Sequence, residues 1–247
     1  MARVNRERVL LVGGQRALVM QLAHPLVAAG VAQHSDFPAG ALARLRRTLD
    51  LSLALIYGTP DEAEAAVAGI RAVHDRVTGS VGDRAYSAND PDLLQWVNAT
   101  LIDTALLVYE RFVRWLDEGE RRRYYEEAAA SSSEFGIPPA VVPSDLDAFR
   151  LYMAEMISGG ELRATEEGSR LVRDVLQPPL PLPLRLPTAV IRQITLALLP
   201  ARIQEMFQLR AGPLARLTLA AASRGSRLAL PLLPPLVREF SRARAAR

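Results

Sequence analysis

Proline and glycine cut this chain into segments of helical length, and the residues beside the cuts are helix caps. Thr59-Pro60-Asp61-Glu62 places a capping hydroxyl, a proline at the first helical position and acids in the first turn. Asp90-Pro91 repeats the device, and Ser144 and Thr165 each precede further helical patterns. Between the cuts, Ala, Leu and Arg dominate, and all three favour helix. Alternating apolar patterns and Asn-Gly turn pairs are missing, so nothing calls for strands. The expected fold is all-α, a single multi-helix domain with no sheet, and 49% hydrophobic residues are enough for its core.

The spacing predicts helices over about 6–23, 26–33, 38–57, 60–78, 92–116, 117–135, 144–158 and 165–176. The one over 92–116 is apolar almost all round, which marks it as central and buried. From Gln177 to Pro187 the chain is proline-rich, so an extended connector or strap is expected there. Apolar helices broken at Pro200, Gly212-Pro213 and Pro231 follow it.

Several function classes fall away. The 247 residues include no cysteine, which excludes disulfides, zinc–thiolate sites and iron–sulfur clusters. All 30 basic residues are arginine, yet the net charge is only +3 and no nucleic-acid-binding motif is present, which argues against a dedicated nucleic-acid binder. No apolar run reaches the roughly 20 residues of a membrane span, and the N-terminus lacks the pattern of a signal peptide. A cytoplasmic protein is expected. Peripheral membrane contact remains open through Arg238 to Arg247 or Arg121-Arg122-Arg123, at lipid headgroups.

The chain has three histidines, His24, His34 and His74, and no pair has chelate spacing on one helix. Ala63, Val67, Ile70, His74 and Val77 share one helical face, so His74 turns toward the interior. Two readings stay open for it: a core histidine bonded to a carbonyl, or an axial ligand to haem iron. Arg44 and Thr48 share another mostly apolar face, where a buried guanidinium needs a partner such as a propionate, Asp36 or Asp103. Arg16, Met20 and His24 lie on one face of the first helix, and Gly13-Gly14 reads as close helix packing rather than a dinucleotide fingerprint. Asn98, Thr100, Asp103 and Thr104 are polar within the central apolar helix, placed either to line a pocket or to bond neighbouring carbonyls. No nucleophile elbow, phosphate loop or spaced carboxylate pair is present.

An ordered series of segments runs through the first two-thirds of the chain. It begins with Gly-Gly-Gln-Arg-Ala-Leu at 13–18, Gln-Leu-Ala-His-Pro at 21–25, Gly-Val-Ala-Gln-His-Ser at 30–35 and Arg-Leu-Arg-Arg-Thr at 44–48. It continues with Tyr-Gly-Thr at 57–59, Val-His-Asp-Arg-Val-Thr-Gly at 73–79, Tyr-Ser-Ala-Asn-Asp-Pro at 86–91 and Leu-Leu-Gln-Trp-Val-Asn-Ala-Thr-Leu at 93–101. The series resembles the family of latex-clearing rubber oxygenases and MpaB-type oxygenases. That resemblance implies globin-like helical packing around a b-type haem pocket, and oxidative cleavage of carbon–carbon double bonds by dioxygen. It implies a haem-binding core over 1–176, with the connector and apolar helices of 177–247 packed on the same domain.

Residue by residue, the resemblance makes His74 the iron ligand. It puts Arg44, Arg47 and Thr48 at the haem pocket, with Trp96 packing the porphyrin and His24 as a further pocket residue. Arg47 stands where the family usually has lysine, and an arginine, always charged, is a poor iron ligand. Leu26 to Val31, where the rubber-cleaving members carry a glutamate base, holds no carboxylate. The expectation is a haem-b oxygenase acting with dioxygen on a small hydrophobic, unsaturated substrate. The alternative is a non-catalytic haem- or lipid-binding helical protein.

Overall fold

The computed structural model describes residues 1–34, 50–51, 53–179 and 182–245. Arg44, Arg47, Thr48 and most of the helix expected over 38–57 lie outside them; residues 50–51 and 53–57 are helical. The fold is all-α with one small hairpin.

After a turn of helix at Ala2–Asn5, a 3₁₀ segment, Arg8–Gly13, leads into α1, Gly14–Leu22, and α2, Pro25–His34. About a third of the single helix expected over 6–23 is thus 3₁₀. Gly13 explains the tight approach at the junction: a Cβ there would come within 2.6 Å of Thr104 Cγ2 and 2.8 Å of Val108 Cγ2. Gly14 meets nothing within 4 Å, so only the first glycine of the pair serves close packing.

Helix α3, Pro60–His74, opens with the expected device in full. The Thr59 hydroxyl accepts from the Glu62 amide, and Glu62 reaches back to the Thr59 amide. It ends at His74, four residues earlier than its apolar spacing suggested. The chain then turns into a hairpin, β1 at Thr78–Val81 and β2 at Arg84–Ser87, antiparallel with Thr78 opposite Ser87. This corrects the expectation of no sheet. Gly82, at φ +59, makes the two-residue turn that an L side chain would strain. The hairpin docks on α2, where the Tyr86 hydroxyl donates to Gln33 Oε1 at 2.7 Å beside Leu26, Ala29 and Leu93.

Helix α4, Pro91–Phe112, is the central element, and it buries Leu93, Trp96, Ala99, Ile102, Val108, Tyr109 and Phe112. Next come α5, Glu118–Ser131, and α6, Leu146–Ser158. Helix α7, Glu166–Leu176, lies on α1 and α2; a Cβ on its Gly168 would sit 3.1 Å from the Leu22 carbonyl oxygen and 3.4 Å from Ala28 Cβ.

The proline-rich stretch is not the extended strap the sequence suggested. Helix α8 runs from Leu182 to Leu198 with Pro187 inside it. Pro183 stands in the first turn, where no intrahelical donor is required, and Pro187 frees a carbonyl on an exposed turn that water can reach. Helices α9, Ala201–Met206, and α10, Pro213–Ala229, complete the domain. Leu196, Leu199, Ile203 and Ala215 from these last helices join Trp96, Tyr109, Phe149 and Val172 in one core.

The tail closes on the start of the chain. Glu7 is fully buried, and Arg238 grips its carboxylate through Nε at 2.8 Å and Nη2 at 2.7 Å. The Phe240 amide donates to the Arg6 carbonyl, and Arg242 pairs with Glu62. These tail arginines, expected at solvent or lipid, therefore have partners within the protein. The same holds for Arg121, paired with Glu110, and for Arg122, paired with Asp147.

Candidate functional site

The two histidines singled out from sequence stand in different surroundings. His24 is buried just after α1, in the Ala23-His24-Pro25 corner. Its Nδ1 accepts from the Leu26 amide at 3.3 Å, which leaves the proton of the neutral ring on Nε2. Glu161 Oε2 faces that nitrogen at 4.0 Å and is itself 3.4 Å from Arg84 Nη1. Burial lowers the His24 pKa, and the Glu161 carboxylate only partly offsets it. His24 is therefore a neutral ring with its Nδ1 lone pair committed to the Leu26 amide and Glu161 4.0 Å from its Nε2.

His74 is half-buried at the last residue of α3. Its helical face is the one the spacing selected: Ala63, Val67, Ile70, His74 and Val77 are all partly buried, and the flanking positions are mostly exposed. Among the described residues its imidazole has no hydrogen-bond partner, so the reading as a core histidine bonded to a carbonyl does not hold for them. Burial lowers its pKa too, against a weaker opposing pull from Asp75. A neutral imidazole with both nitrogens uncommitted can bind a metal ion. The third histidine, His34, bonds the Thr78 carbonyl oxygen through Nε2 at 3.0 Å and is exposed.

Arg16 shows how a buried charge is satisfied in this fold. Its Nη2 pairs with Asp103 at 2.7 Å, Nη1 donates to Thr104 Oγ1 at 2.6 Å, and Nε donates to the Leu198 carbonyl at 3.0 Å. The polar residues of the central helix thus serve packing more than a pocket. Thr100 donates to the Val97 carbonyl at 2.7 Å and accepts from Gln21, and Asn98 donates to Ser132. Asp103 pairs with Arg16, and Arg44, for which it was also considered, lies outside the described residues.

Trp96 lies fully buried in the main core, and its indole Nε1 and the neighbouring Gln95 Oε1 are left without a hydrogen-bond partner. Such orphans are uncommon, because each unpaired buried polar atom costs roughly 1–3 kcal/mol. The structure brings His24 together with Glu161 and Arg84, a cluster that no local sequence signal marks. Glu161 sits in the Gly159-Gly160-Glu161 turn between α6 and α7, far along the chain from His24.

What these features define is a helical protein with two neutral imidazoles, one bonded at Nδ1 and one without a hydrogen-bond partner among the described residues. The model of the family "ER-bound oxygenase mpaB/B'/Rubber oxygenase, catalytic domain" matches residues 1–228. The chain belongs to this family of oxygenase catalytic domains. The match runs through α8 and α9 and almost to the end of α10, so these helices belong to the family's domain as much as the first ones. Neither the curated proteins nor the solved structures include a match. Among the described residues no helix is long and apolar enough to cross a membrane.

Proposed function

We propose that the protein is a haem-b-dependent oxygenase that acts with dioxygen on an apolar, unsaturated substrate such as an isoprenoid or lipid chain. The observation that carries this is the His74 side chain, a half-buried imidazole without a hydrogen-bond partner among the described residues, in an oxygenase catalytic domain. No group of three or more His, Asp or Glu among the described residues could cage a metal. An ion bound by His74 would take its remaining ligands from elsewhere, as haem iron does from its porphyrin.

The residues around His74 would suit such a group. His74 would hold the iron from one side, and Val67, Ile70 and Val77 would give the macrocycle an apolar wall. When bound, haem supplies a site where dioxygen is activated beside the substrate. The chain's own contributions are simpler. The lowered pKa of His74 keeps its lone pair available at neutral pH. His24 keeps a proton on Nε2, directed at Glu161, and can donate it to a developing negative charge. On the family pattern, Arg44 and Thr48 would orient a propionate, oxygen or substrate by charge and hydrogen bonding, and Arg47 would add charge there without approaching the iron. The Leu26–Val31 stretch supplies no carboxylate base, so Glu161, brought to His24 by the fold, is the acidic residue to test for proton handling.

The test is the absorption spectrum and pyridine haemochrome of the purified wild-type protein and of His74→Ala. A b-type spectrum that is lost in His74→Ala is the expected result. A colourless wild-type protein that takes up no added haemin overturns the reading. A haem-loaded protein that consumes no oxygen with any alkene leaves binding without catalysis.

A further inference from the structure

A cavity of about 360 Å³ lies away from both histidines, between α4, α8 and α10. Arg111 of α4 and Arg216, Arg224 and Arg227 of α10 line it. Among the described residues none of the four has a carboxylate partner; Arg227 donates only to the Glu110 carbonyl. Elsewhere Arg16, Arg114, Arg121, Arg122, Arg150 and Arg238 do have carboxylate partners; what sets these four apart is that they gather at one cavity.

Helix α10 divides into three sectors around its axis. Ala215, Ala222 and Ser226 face the protein, and the Ser226 hydroxyl ties the helix to the Phe112 carbonyl at 2.8 Å. Arg216, Arg224 and Arg227 occupy the next sector, beside the cavity. Leu214, Leu217 and Leu228 occupy the third, at 64%, 68% and 75% exposure. The chain then runs into Leu232, which is 85% exposed. Exposed leucines scattered singly mean little, but a ridge of them beside unpaired cations on one anchored helix is the pattern of an element lying in a membrane interface.

We infer that α10 is a docking surface for an anionic phospholipid bilayer, with Leu214, Leu217 and Leu228 entering the acyl boundary and Arg111, Arg216, Arg224 and Arg227 receiving phosphate headgroups. The charge selects this occupant. A second copy meeting the same face about a two-fold axis would set unpaired arginines against their own kind. An electrically neutral surface would leave the guanidinium groups without partners. The inference stands apart from the haem reading, since neither histidine takes part in it.

The experiment is co-sedimentation of the full chain with phosphatidylcholine vesicles, with or without about a third phosphatidylserine. The wild type is expected to bind the anionic vesicles only, and to release them as salt rises from about 0.1 M to about 1 M, where screening shortens to a few ångströms. Each arginine near the surface contributes about fivefold to partitioning, so Arg216→Gln with Arg224→Gln should weaken it about 25-fold. Leu217→Ser with Leu228→Ser should weaken it as well, and both pairs are exposed, so unchanged circular dichroism melting is expected. Three results would overturn the inference: no binding of wild type to anionic vesicles, binding that both double variants retain, or saturation of the face by free phosphate or an acidic protein without vesicle binding. Self-association that Leu217→Ser with Leu228→Ser abolishes, in protein that binds no vesicles, would assign the ridge to a second copy instead.

Discussion

The His24 corner and the His74 end of α3 begin from the same chemistry and finish differently. Burial lowers both pKa values, so both rings are neutral near pH 7. At His24 the ring is gripped by the Leu26 amide and faced by Glu161, in a corner between α1 and α2 sealed by α7. At His74 neither ring nitrogen has a partner among the described residues, and the apolar face around it is only half covered. The difference is that His24 is bonded to the backbone beside it, while His74 is not bonded to any described residue.

The sealed side should carry the largest stability effects. Trp96→Ala removes a fully buried indole and is expected to cost about 3–5 kcal/mol in urea denaturation. A cost under about 1 kcal/mol would show that the core there is loosely packed. Arg16→Met leaves the Thr104 hydroxyl, the Leu198 carbonyl and partly exposed Asp103 without their guanidinium, and a loss of about 3 kcal/mol is expected. Gly13→Ala should cost about 1–3 kcal/mol through the clash with Thr104 and Val108, whereas Gly14→Ala, next to it, should be neutral or stabilising by up to about 1 kcal/mol.

The two histidines themselves give the sharpest contrast. His24→Ala should lose about 1–2 kcal/mol, because it leaves the buried Leu26 amide unpaired. His74→Ala should lose less than about 0.5 kcal/mol, yet abolish haem binding. Equal stability losses would erase the distinction drawn between them.

The smallest effect is the pH dependence. Both rings have folded pKa values below 6.5, so the unfolded chain takes up protons first as the solution is acidified. The stability that each neutral ring contributes is complete above about pH 6.5 and is lost as pH falls through the folded pKa. Unfolding midpoints should therefore fall on going from pH 8 to pH 5, and His24→Gln should flatten that slope. Haem affinity should weaken over the same range in wild-type protein, since a protonated His74 cannot bind iron.

Much of the fold was legible because helices announce themselves locally. Thr59, Asp90 and Thr165 each cap a helix through their own side chains, as their neighbours in sequence suggested, whereas α6 is capped by Asp145 and not by the expected Ser144. The half-buried face of His74 followed from spacing alone. The hairpin at 78–87 was missed because its strands are four residues each and gain their stability from docking on α2, which no alternation records. Pro187 misled for the complementary reason. Its cost is a single backbone bond on an exposed turn, and packing of Ile194, Leu196 and Leu198 outweighs it.

The sequence by itself determined the helical class, the places where helices begin, and the family of oxygenase catalytic domains to which the chain belongs, because caps, periodicity and motif order are written in neighbouring residues. Only the tertiary structure decided which charges are spent. It gave Asp103 to Arg16, Glu161 to Arg84 and Glu7 to Arg238, and among the described residues it left the imidazole of His74 and the arginines of α10 without such partners. Pairing depends on distance in space between residues tens or hundreds of positions apart, and a linear pattern carries no record of that distance.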